Sequence, residues 1–317
     1  MILATLLLIL TFSHSYSEDI INCDDYCEVI VISDLNESYG STRYRADIQN
    51  AVNHIIDQRP DLVITTGDHV AGQKQGLNYQ AMWDVFHKVV TRPITSANIP
   101  FAPAPGNHDA SAYSAYHKER MTYKKQWEGD YRPKVKMLNT HGFPFRYSYS
   151  LGPALFIVLD STTVNFSQAE QKWVEFNLEK YGDNYPVKIV YGHVPLYPFA
   201  VNREKDYMHA PDFENVLNKY DVDLFVSGHH HTYYPGRRGK LGLVGTSCLG
   251  GGTRSLIGDE TGKKSPRSII KFKYNKSGVF ELNAYKSPYF QEVISRDQLP
   301  KEVGIPGKKI KIDKQFL

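Results

Sequence analysis

The 317-residue chain has little net charge, few cysteines and no long apolar run beyond its first residues. A formal charge of +3 is too small to indicate a nucleic-acid partner, so we expect no nucleic-acid-binding module. The three cysteines are not spaced as a zinc cluster, and nothing in the chain resembles the HExxH motif of metalloproteases. Internal repeats, low-complexity tracts and Pro- or Gly-rich linkers are also absent, which favours one domain.

The N-terminus contains the one apolar stretch that needs explanation. Residues 2–12 are apolar, but eleven residues are too few to cross a bilayer, which takes roughly 20. They match the apolar region of a secretory signal, and the small residues Ser15 and Ser17 suit cleavage before Glu18. We predict a signal peptide over residues 1–17 and a secreted or periplasmic protein without a stable membrane span after cleavage. An uncleaved anchor is the alternative.

Export would bring the cysteines into an oxidising compartment, where disulfides persist. Cys23 and Cys27 are close enough in sequence to bridge, which would leave Cys248 free. We predict that bond; three unpaired thiols are the alternative.

Apolar strand-like runs alternate with helical patterns along most of the chain. Predicted strands cover residues 29–33, 61–66, 99–105, 155–160, 187–191 and 222–227. The predicted helical faces comprise Ile48, Ala51, Val52, Ile55 and Ile56; residues 81–90; Ala169, Trp173 and Phe176 behind a Ser167–Glu170 capping box; and Phe213, Val216, Leu217 and Tyr220. This α/β alternation predicts a sheet with helices on its faces and functional residues at the C-terminal ends of its strands.

Two segments depart from the alternation. Residues 110–146 are rich in aromatic and basic side chains, and we interpret them as an insertion over the mouth of the site. Aromatics that cover the core are the alternative. Residues 308–317 are locally basic and are interpreted as a short solvated tail of a single domain covering residues 18–317.

Polar residues follow the ends of several predicted strands. They are Asp34, Asp68, Asn107, His108, Asp109, His193, His229, His230 and His231. Each alone would more simply be a turn or surface residue, and isolated histidines such as His117, His141 and His209 receive no role. Together, carboxylate, amide and imidazole groups indicate a composite site for zinc, iron or manganese. If residues 229–231 are extended, His229 and His231 share a face and reach two adjacent ions.

These motifs resemble the calcineurin-like metallophosphoesterase family, which is related to purple acid phosphatases. The resemblance covers residues 28–285 and rests on the segments SDLN, TGDH, GNHD, YGHVP and GHHH. It implies an α/β fold in which two mixed β-sheets pack as a sandwich flanked by helices. It also implies two divalent or trivalent metal ions (Mn, Zn or Fe), with Asp68 bridging them. The implied ligands are Asp34, Asp68 and His231 for one ion, and Asn107, His193 and His229 for the other.

The resemblance assigns His108 as general acid or transition-state stabiliser, oriented by Asp109. The chain departs from the family at Asn36, where the family has a histidine, so Asn36 is a doubtful ligand that weakens the first site. Ala71 replaces the tyrosine that colours purple acid phosphatases, and we therefore predict a colourless protein. His69 and His230 are candidates for contacting substrate phosphate, with hydrogen bonding behind the ligands as the alternative.

The resulting hypothesis is a phosphatase or phosphodiesterase in which a hydroxide bridging two metals attacks phosphorus. The rival hypothesis is a metal-binding protein of the same fold with impaired catalysis, since Asn36 alters the first site. Hydrolysis of a peptide or amide by the same metals is a weaker alternative. The sequence leaves the ester class, the metal and the oligomeric state open.

Overall fold

The computed structural model describes Cys23 and residues 25–315, so the predicted signal peptide lies outside the described residues. The strands form two mixed sheets, which confirms the predicted fold class. In spatial order, the first sheet consists of β12 (Gly278–Lys286), β11 (Ser268–Asn275), β1 (Cys27–Ile32), β2 (Leu62–Thr65) and β3 (Phe101–Pro103). Strands β1, β2 and β3 are parallel, and β11 and β12 continue the sheet by antiparallel pairing.

The second sheet is larger and has a parallel centre. In spatial order, it consists of β13 (Glu302–Val303), β14 (Ile310–Ile312), β9 (Tyr234–Arg238), β10 (Leu241–Gly245), β8 (Leu224–Ser227), β7 (Val187–Gly192), β6 (Ala154–Val158), β5 (Tyr147–Leu151) and β4 (Lys136–Asn139). Strands β10, β8, β7 and β6 are parallel, whereas the strands at both edges pair antiparallel.

Helices connect the parallel strands. They are α1 (Ala46–Gln58), α2 (Tyr79–Phe86) with a π-helical turn (His87–Thr91), α3 (Arg92–Ser96), α4 (Asn107–Ala110), α5 (His117–Glu128), α6 (Gln168–Tyr181) and α7 (Phe213–Lys219), with short 3-10 turns at Ser114–Tyr116, Gly182–Asn184 and Arg296–Gln298. Among the described residues, none of the helices combines the length and apolarity that crossing a membrane requires.

The core has three layers because strand side chains alternate between two faces. In β1, Val29 and Val31 point into the core shared by both sheets, whereas Ile30 and Ile32 pack against the outer helices. Helices α1, α2, α3 and α5 cover the outside of the first sheet, and α6 and α7 cover the outside of the second. The two sheets therefore lie face to face between two helical layers.

Cys23 and Cys27 form the predicted disulfide, and Cys248 is a free, buried thiol. The bond ties the segment before β1 to the first residue of that strand.

Helix α6 begins as predicted, since the Glu170 backbone N–H donates to Ser167 Oγ at 3.2 Å. Its buried face was predicted correctly for one residue of three. Trp173 packs inward together with Val174 and Leu178, whereas Ala169 and Phe176 are exposed. Apolar residues lie on both sides of Trp173 around the helix. The prediction took the side with Ala169 and Phe176, which faces solvent.

The predicted solvated C-terminal tail is also wrong. Ile310 is buried in β14, which pairs with β9, and Asp313 accepts a hydrogen bond from Arg237 Nε at 2.9 Å. The basic side chains of this segment alternate with apolar ones, which is the period of a β-strand with one buried face.

Residues 110–146 contribute to the core more than to a lid. Tyr123 and Trp127 of α5 are fully buried against the outside of the first sheet. Tyr147 and Tyr149, in strand β5 that follows, belong to the core between the sheets. For these four aromatics the alternative interpretation, that they cover the core, is correct; Tyr113 is half exposed.

Candidate metal centre

The C-terminal ends of the two parallel strand sets deliver the predicted ligands to one region. Asp34, Asp68 and Asn107 follow β1, β2 and β3, which are neighbours in the first sheet. His193 and His229 follow β7 and β8, which are neighbours in the second. Within each sheet the side chains lie together because parallel strands end at the same edge, and the face-to-face packing of the two sheets brings the two sets into contact.

Four of the predicted ligands have left-handed backbone conformations. The φ angles are 49° at Asp34, 58° at Asp68, 64° at His229 and 52° at His231. Such positions cost on the order of 1–3 kcal/mol each and persist only where the surroundings enforce them. The expectation that residues 229–231 are extended is therefore wrong, although His229 and His231 do reach different sides of Asp68.

Two glycines permit the close approach of the second and third motifs. A Cβ atom on Gly106 would lie 2.2 Å from Asp68 Oδ1. Gly67 has a φ of +97°, and a Cβ there would lie 2.9 Å from His193 Nδ1. Side chains at either position would push Asp68 and His193 away from Asn107.

The first group of ligand atoms comes from Asp34, Asp68 and His231, and all three atoms lie within 4.8 Å of one another. The Nδ1 atom of His231 faces the Gly251 carbonyl at 3.0 Å and donates to it, so Nε2 points at Asp34 Oδ1, 3.1 Å away. Asp34 also accepts a hydrogen bond from Ser33 Oγ at 2.5 Å.

The charges in this group suit a cation. Burial raises the pKa of Asp34, but the charge and hydrogen bond of His231 outweigh it and hold this pKa well below its ordinary value. Burial lowers the pKa of His231, but Asp34 raises it to about 10. Without a metal, a proton on His231 Nε2 fills the space between imidazole and carboxylate, and a metal ion would displace that proton.

The second group comes from Asn107, His193 and His229. His193 Nδ1 donates to the Thr66 carbonyl at 2.8 Å, which leaves Nε2 as an acceptor. Asn107 Nδ2 donates to Gln73 Oε1 at 2.7 Å, which turns Asn107 Oδ1 towards His193 Nε2, also 2.7 Å away. Two acceptors thus face each other at hydrogen-bond distance, and a cation is the group that relieves such an arrangement.

The remaining atoms of the second group converge on the same point. His229 Nδ1 lies 3.2 Å and Asp68 Oδ1 3.4 Å from His193 Nε2. Burial and the neighbouring His193 lower the pKa of His229 well below its ordinary value, so its ring is neutral and keeps a lone pair. Asp68 therefore lies between an oxygen-rich group and a nitrogen-rich group, and the residues fit two ions of the zinc, iron or manganese type.

Asn36 turns its amide nitrogen towards this centre. Its Nδ2 atom lies 3.4 Å from Asp68 Oδ2 and donates to it. In this orientation Asn36 supports the Asp68 carboxylate and offers no lone pair to an ion beside it.

His108 lies at the mouth of the centre, 22% exposed, with Nε2 4.0 Å from Asp68 Oδ2. Its Nδ1 atom lies 3.0 Å from the Gly72 carbonyl, which orients the ring. The prediction that Asp109 orients His108 is wrong. Asp109 is fully buried and accepts from Val70 N at 2.9 Å and pairs with His69 Nδ1 at 2.7 Å.

His69 and His230 are too deeply buried to contact substrate. His69 has no exposed surface, and both ring nitrogens are engaged, by Asp109 and by Thr65 Oγ1. His230 is equally buried; its Nε2 donates to the Asp206 carbonyl at 2.8 Å, and burial lowers its pKa to about 3. The alternative of hydrogen bonding behind the ligands is correct for both.

Several residues that shape the site were missed from the sequence. Gly72 and Gln73 hold the side chains of His108 and Asn107, and Ser161 Oγ accepts from the His193 backbone N–H at 2.9 Å. Gly72 and Gln73 belong to no motif, and no local pattern distinguishes them from ordinary loop residues. The segment 247–252 is tied to the first motif, because the Gly250 backbone N–H donates to the Asp34 carbonyl at 2.8 Å.

Curated relatives of known name resemble more than half of the chain. It is 28% identical over 191 residues to a protein named probable purple acid phosphatase 20 from Arabidopsis thaliana, a match that covers 58% of this chain and 42% of the relative. The chain thus spans less than half the length of that relative.

Solved structures share the fold over most of the chain. A purple acid phosphatase from yellow lupin seeds superposes with a TM-score of 0.65 at 19% identity, covering 86% of this chain and 53% of its own. GAP50 of Plasmodium, described as the anchor in the inner membrane complex, gives a TM-score of 0.59 at 17% identity, covering 92% and 90%. At these identities the likeness concerns the fold alone.

The family model of calcineurin-like phosphoesterases matches residues 28–233, which include β1 to β8 and the GHHH segment. This is well over half of the chain and contains every predicted ligand. The chain belongs to the calcineurin-like phosphoesterase family.

Proposed function

We propose that the protein is a metal-dependent phosphoester hydrolase, a phosphatase or phosphodiesterase, with a dinuclear centre. The observation that carries this proposal is the convergence of two ligand groups on Asp68. Asp34 and His231 lie on one side of it, and His193 and Asn107 on the other. A bound pair of such ions would neutralise charge on a phosphate and make a water molecule acidic enough to serve as nucleophile.

His108 has the position of the group that assists the leaving oxygen. It is the partly exposed imidazole at the mouth of the centre, and its ring is held from behind by Gly72. Because Nδ1–H donates to that carbonyl, Nε2 gives up a proton only when the ring is doubly protonated. We propose that His108 donates this proton to the leaving group or stabilises its charge. Asp109 supports the surrounding loop through His69 and does not act on His108.

The direct test is hydrolysis after the metal-free protein has been loaded with Mn²⁺, Zn²⁺ or iron. We expect turnover of at least one class among aryl phosphates, phosphodiesters and nucleotides, and none after chelation. Protein that binds two ions and hydrolyses none of these esters would contradict the proposal.

That contrary result would favour the rival function, a metal-binding protein of the same fold without catalysis. Asn36 is the observation behind it, because its amide nitrogen faces Asp68 where a metal ligand is expected. The fold alone does not decide between the two, since it is shared with proteins described both as a phosphatase and as an anchor. The intact second group and the accessible His108 favour the enzyme.

Substituting Asn36→His is expected to tighten binding of the ion beside Asp34. The new imidazole would add a nitrogen ligand where the amide now donates to Asp68. We expect roughly 10- to 100-fold higher affinity, the range over which ligand surroundings tune metal sites. Titration of the metal-free protein measures it, with Asn53→His, an exposed position on α1, as the control. Unchanged affinity would mean that this position does not reach the ion.

We further propose that the chain is exported and that residues 18–317 act as a single domain. The Cys23–Cys27 disulfide supports export, because such bonds persist in oxidising compartments. Ala71 supplies no phenolate, so a preparation loaded with iron should lack the colour of purple acid phosphatases.

A further inference from the structure

A buried glutamate lies behind the candidate metal centre. Glu119, on α5, is 1% exposed, and its Oε2 atom accepts a hydrogen bond from the Gln73 backbone N–H at 2.5 Å. Its other oxygen, Oε1, has no hydrogen-bond partner among the described residues. Burial raises the pKa of Glu119 to about 8, although the hydrogen bond from the Gln73 backbone N–H lowers it. Burying a carboxyl group with one oxygen unpaired costs folding free energy.

The turn that Glu119 contacts has an unusual conformation. Gln73 has a φ of +62°, a left-handed angle that disfavours a side chain of its kind. Gly72 is in close contact with the carboxyl group, since a Cβ atom there would lie 2.5 Å from Glu119 Oε2. The hydrogen bond from the Gln73 backbone N–H to Glu119 therefore helps to hold a turn that would otherwise relax.

This turn contacts both His108, the proposed catalytic residue, and Asn107, a proposed metal ligand. The Gly72 carbonyl lies 3.0 Å from His108 Nδ1, and the Gly72 backbone N–H donates to the His108 carbonyl at 3.0 Å. The Gln73 side chain accepts from Asn107 Nδ2 at 2.7 Å, which turns the amide oxygen of Asn107 inward. One turn thus orients the imidazole at the mouth and an oxygen ligand of the second group.

We propose that Glu119 is a positioning residue of the metal centre: by fixing the Gly72–Gln73 turn, it orients Asn107 towards the second ion and His108 towards the leaving group. The role towards His108 rests on the proposed function. The role towards Asn107 concerns metal binding and is independent of catalysis. Glu119 itself touches neither substrate nor metal.

The test compares two substitutions of similar volume. Glu119→Gln keeps an oxygen that accepts from the Gln73 N–H, whereas Glu119→Met fills the space without an acceptor. We expect Glu119→Met to weaken binding of the second ion to the metal-free protein by about 10- to 100-fold, the effect of removing an outer partner of a ligand. Glu119→Gln should stay within about threefold of the unsubstituted protein, because it keeps that acceptor. Glu128→Met, an exposed glutamate on the same helix, is the matched control.

A second variant, Gln73→Gly, separates the effect on metal binding from the effect on catalysis. It also provides a test if Glu119→Met fails to fold. Gln73→Gly accepts the left-handed angle without strain and removes only the contact with Asn107. Gln73→Gly should weaken binding of the second ion but leave the dependence of kcat on leaving-group pKa unchanged. Glu119→Met should weaken that binding and also steepen this dependence.

Normal binding of the second ion in Gln73→Gly, or in folded Glu119→Met, would overturn the inference. So would a lower melting temperature of Glu119→Met as its only change. If the unsubstituted protein hydrolyses no ester, the proposed function fails, but the metal titration still decides whether Glu119 positions the second group.

Discussion

Replacement of Asp68 by asparagine is expected to abolish metal binding and hydrolysis together. Asp68 lies between the two ligand groups, with one oxygen 3.4 Å from His193 Nε2 and both Asp34 and His231 within ligand range. An asparagine has nearly the same shape but carries no charge and offers one oxygen instead of two. We expect turnover to fall by about three orders of magnitude or more, at least the scale lost when one charge-stabilising group leaves an active site.

The fold of this variant should survive. An asparagine oxygen can still accept the His108 backbone N–H that Asp68 Oδ1 now accepts at 2.9 Å. Asp221→Asn is a matched control, because Asp221 is also an aspartate in the left-handed conformation but is exposed and distant from the ligands. Metal content per chain, turnover and melting temperature are the three measurements. An Asp68→Asn protein that retains two ions, or that is active without them, would contradict the bridging role.

His108→Ala is expected to separate catalysis from metal binding. The substitution removes the imidazole at the mouth but keeps the backbone N–H that holds Asp68, so both ligand groups should stay intact. Turnover should fall by about 10²- to 10⁴-fold, the usual contribution of a general acid. The loss should be largest for esters with poor leaving groups, because good ones depart without a proton.

A series of esters of increasing leaving-group pKa measures this effect alongside metal content. His141→Ala, an exposed histidine in a turn, is the control and should change neither quantity. If His108→Ala turned over every ester at the normal rate, the role of His108 would be wrong. If it lost metal as Asp68→Asn does, His108 would belong to the ligands instead.

The sequence predicted what local patterns determine. Strands such as residues 29–33 and 187–191 are recognisable because runs of β-branched residues favour extended backbone. The polar motif that follows each strand indicates a candidate ligand. The capping residue Ser167 and the Cys23–Cys27 bond also follow from short-range spacing. Once β1 and β2 are parallel neighbours, the meeting of Asp34 and Asp68 follows from topology, whereas His193 reaches them because the two sheets pack face to face.

The errors concern contacts that only tertiary packing decides. Asp109 and His108 are adjacent in sequence, yet the short helix α4 turns Asp109 inward to His69 and leaves His108 at the surface. Periodicity could not identify the buried face of α6, because apolar residues flank Trp173 on both sides. Glu119 lies forty-six residues from its partner Gln73, so no local pattern connects them.

The left-handed ligand positions were equally invisible to the sequence. Three of the four, Asp68, His229 and His231, lie in the GD and GHHH segments. Each segment begins with a glycine, but the residues with the left-handed angles carry side chains. Strain of this kind is typical of sites where geometry is maintained at some expense of stability. Left-handed angles also occur away from the site, as at Asp221, but five of the ten described residues other than glycine that have them are the four ligands and Gln73 behind them.

The most direct test of the account is a metal titration of the metal-free protein in which bound ions and phosphoester hydrolysis are recorded together. We predict no hydrolysis without metal, and a rate that rises with metal occupancy and levels off at two ions per chain. Hydrolysis by the metal-free protein, or two bound ions without hydrolysis of any ester, would contradict it.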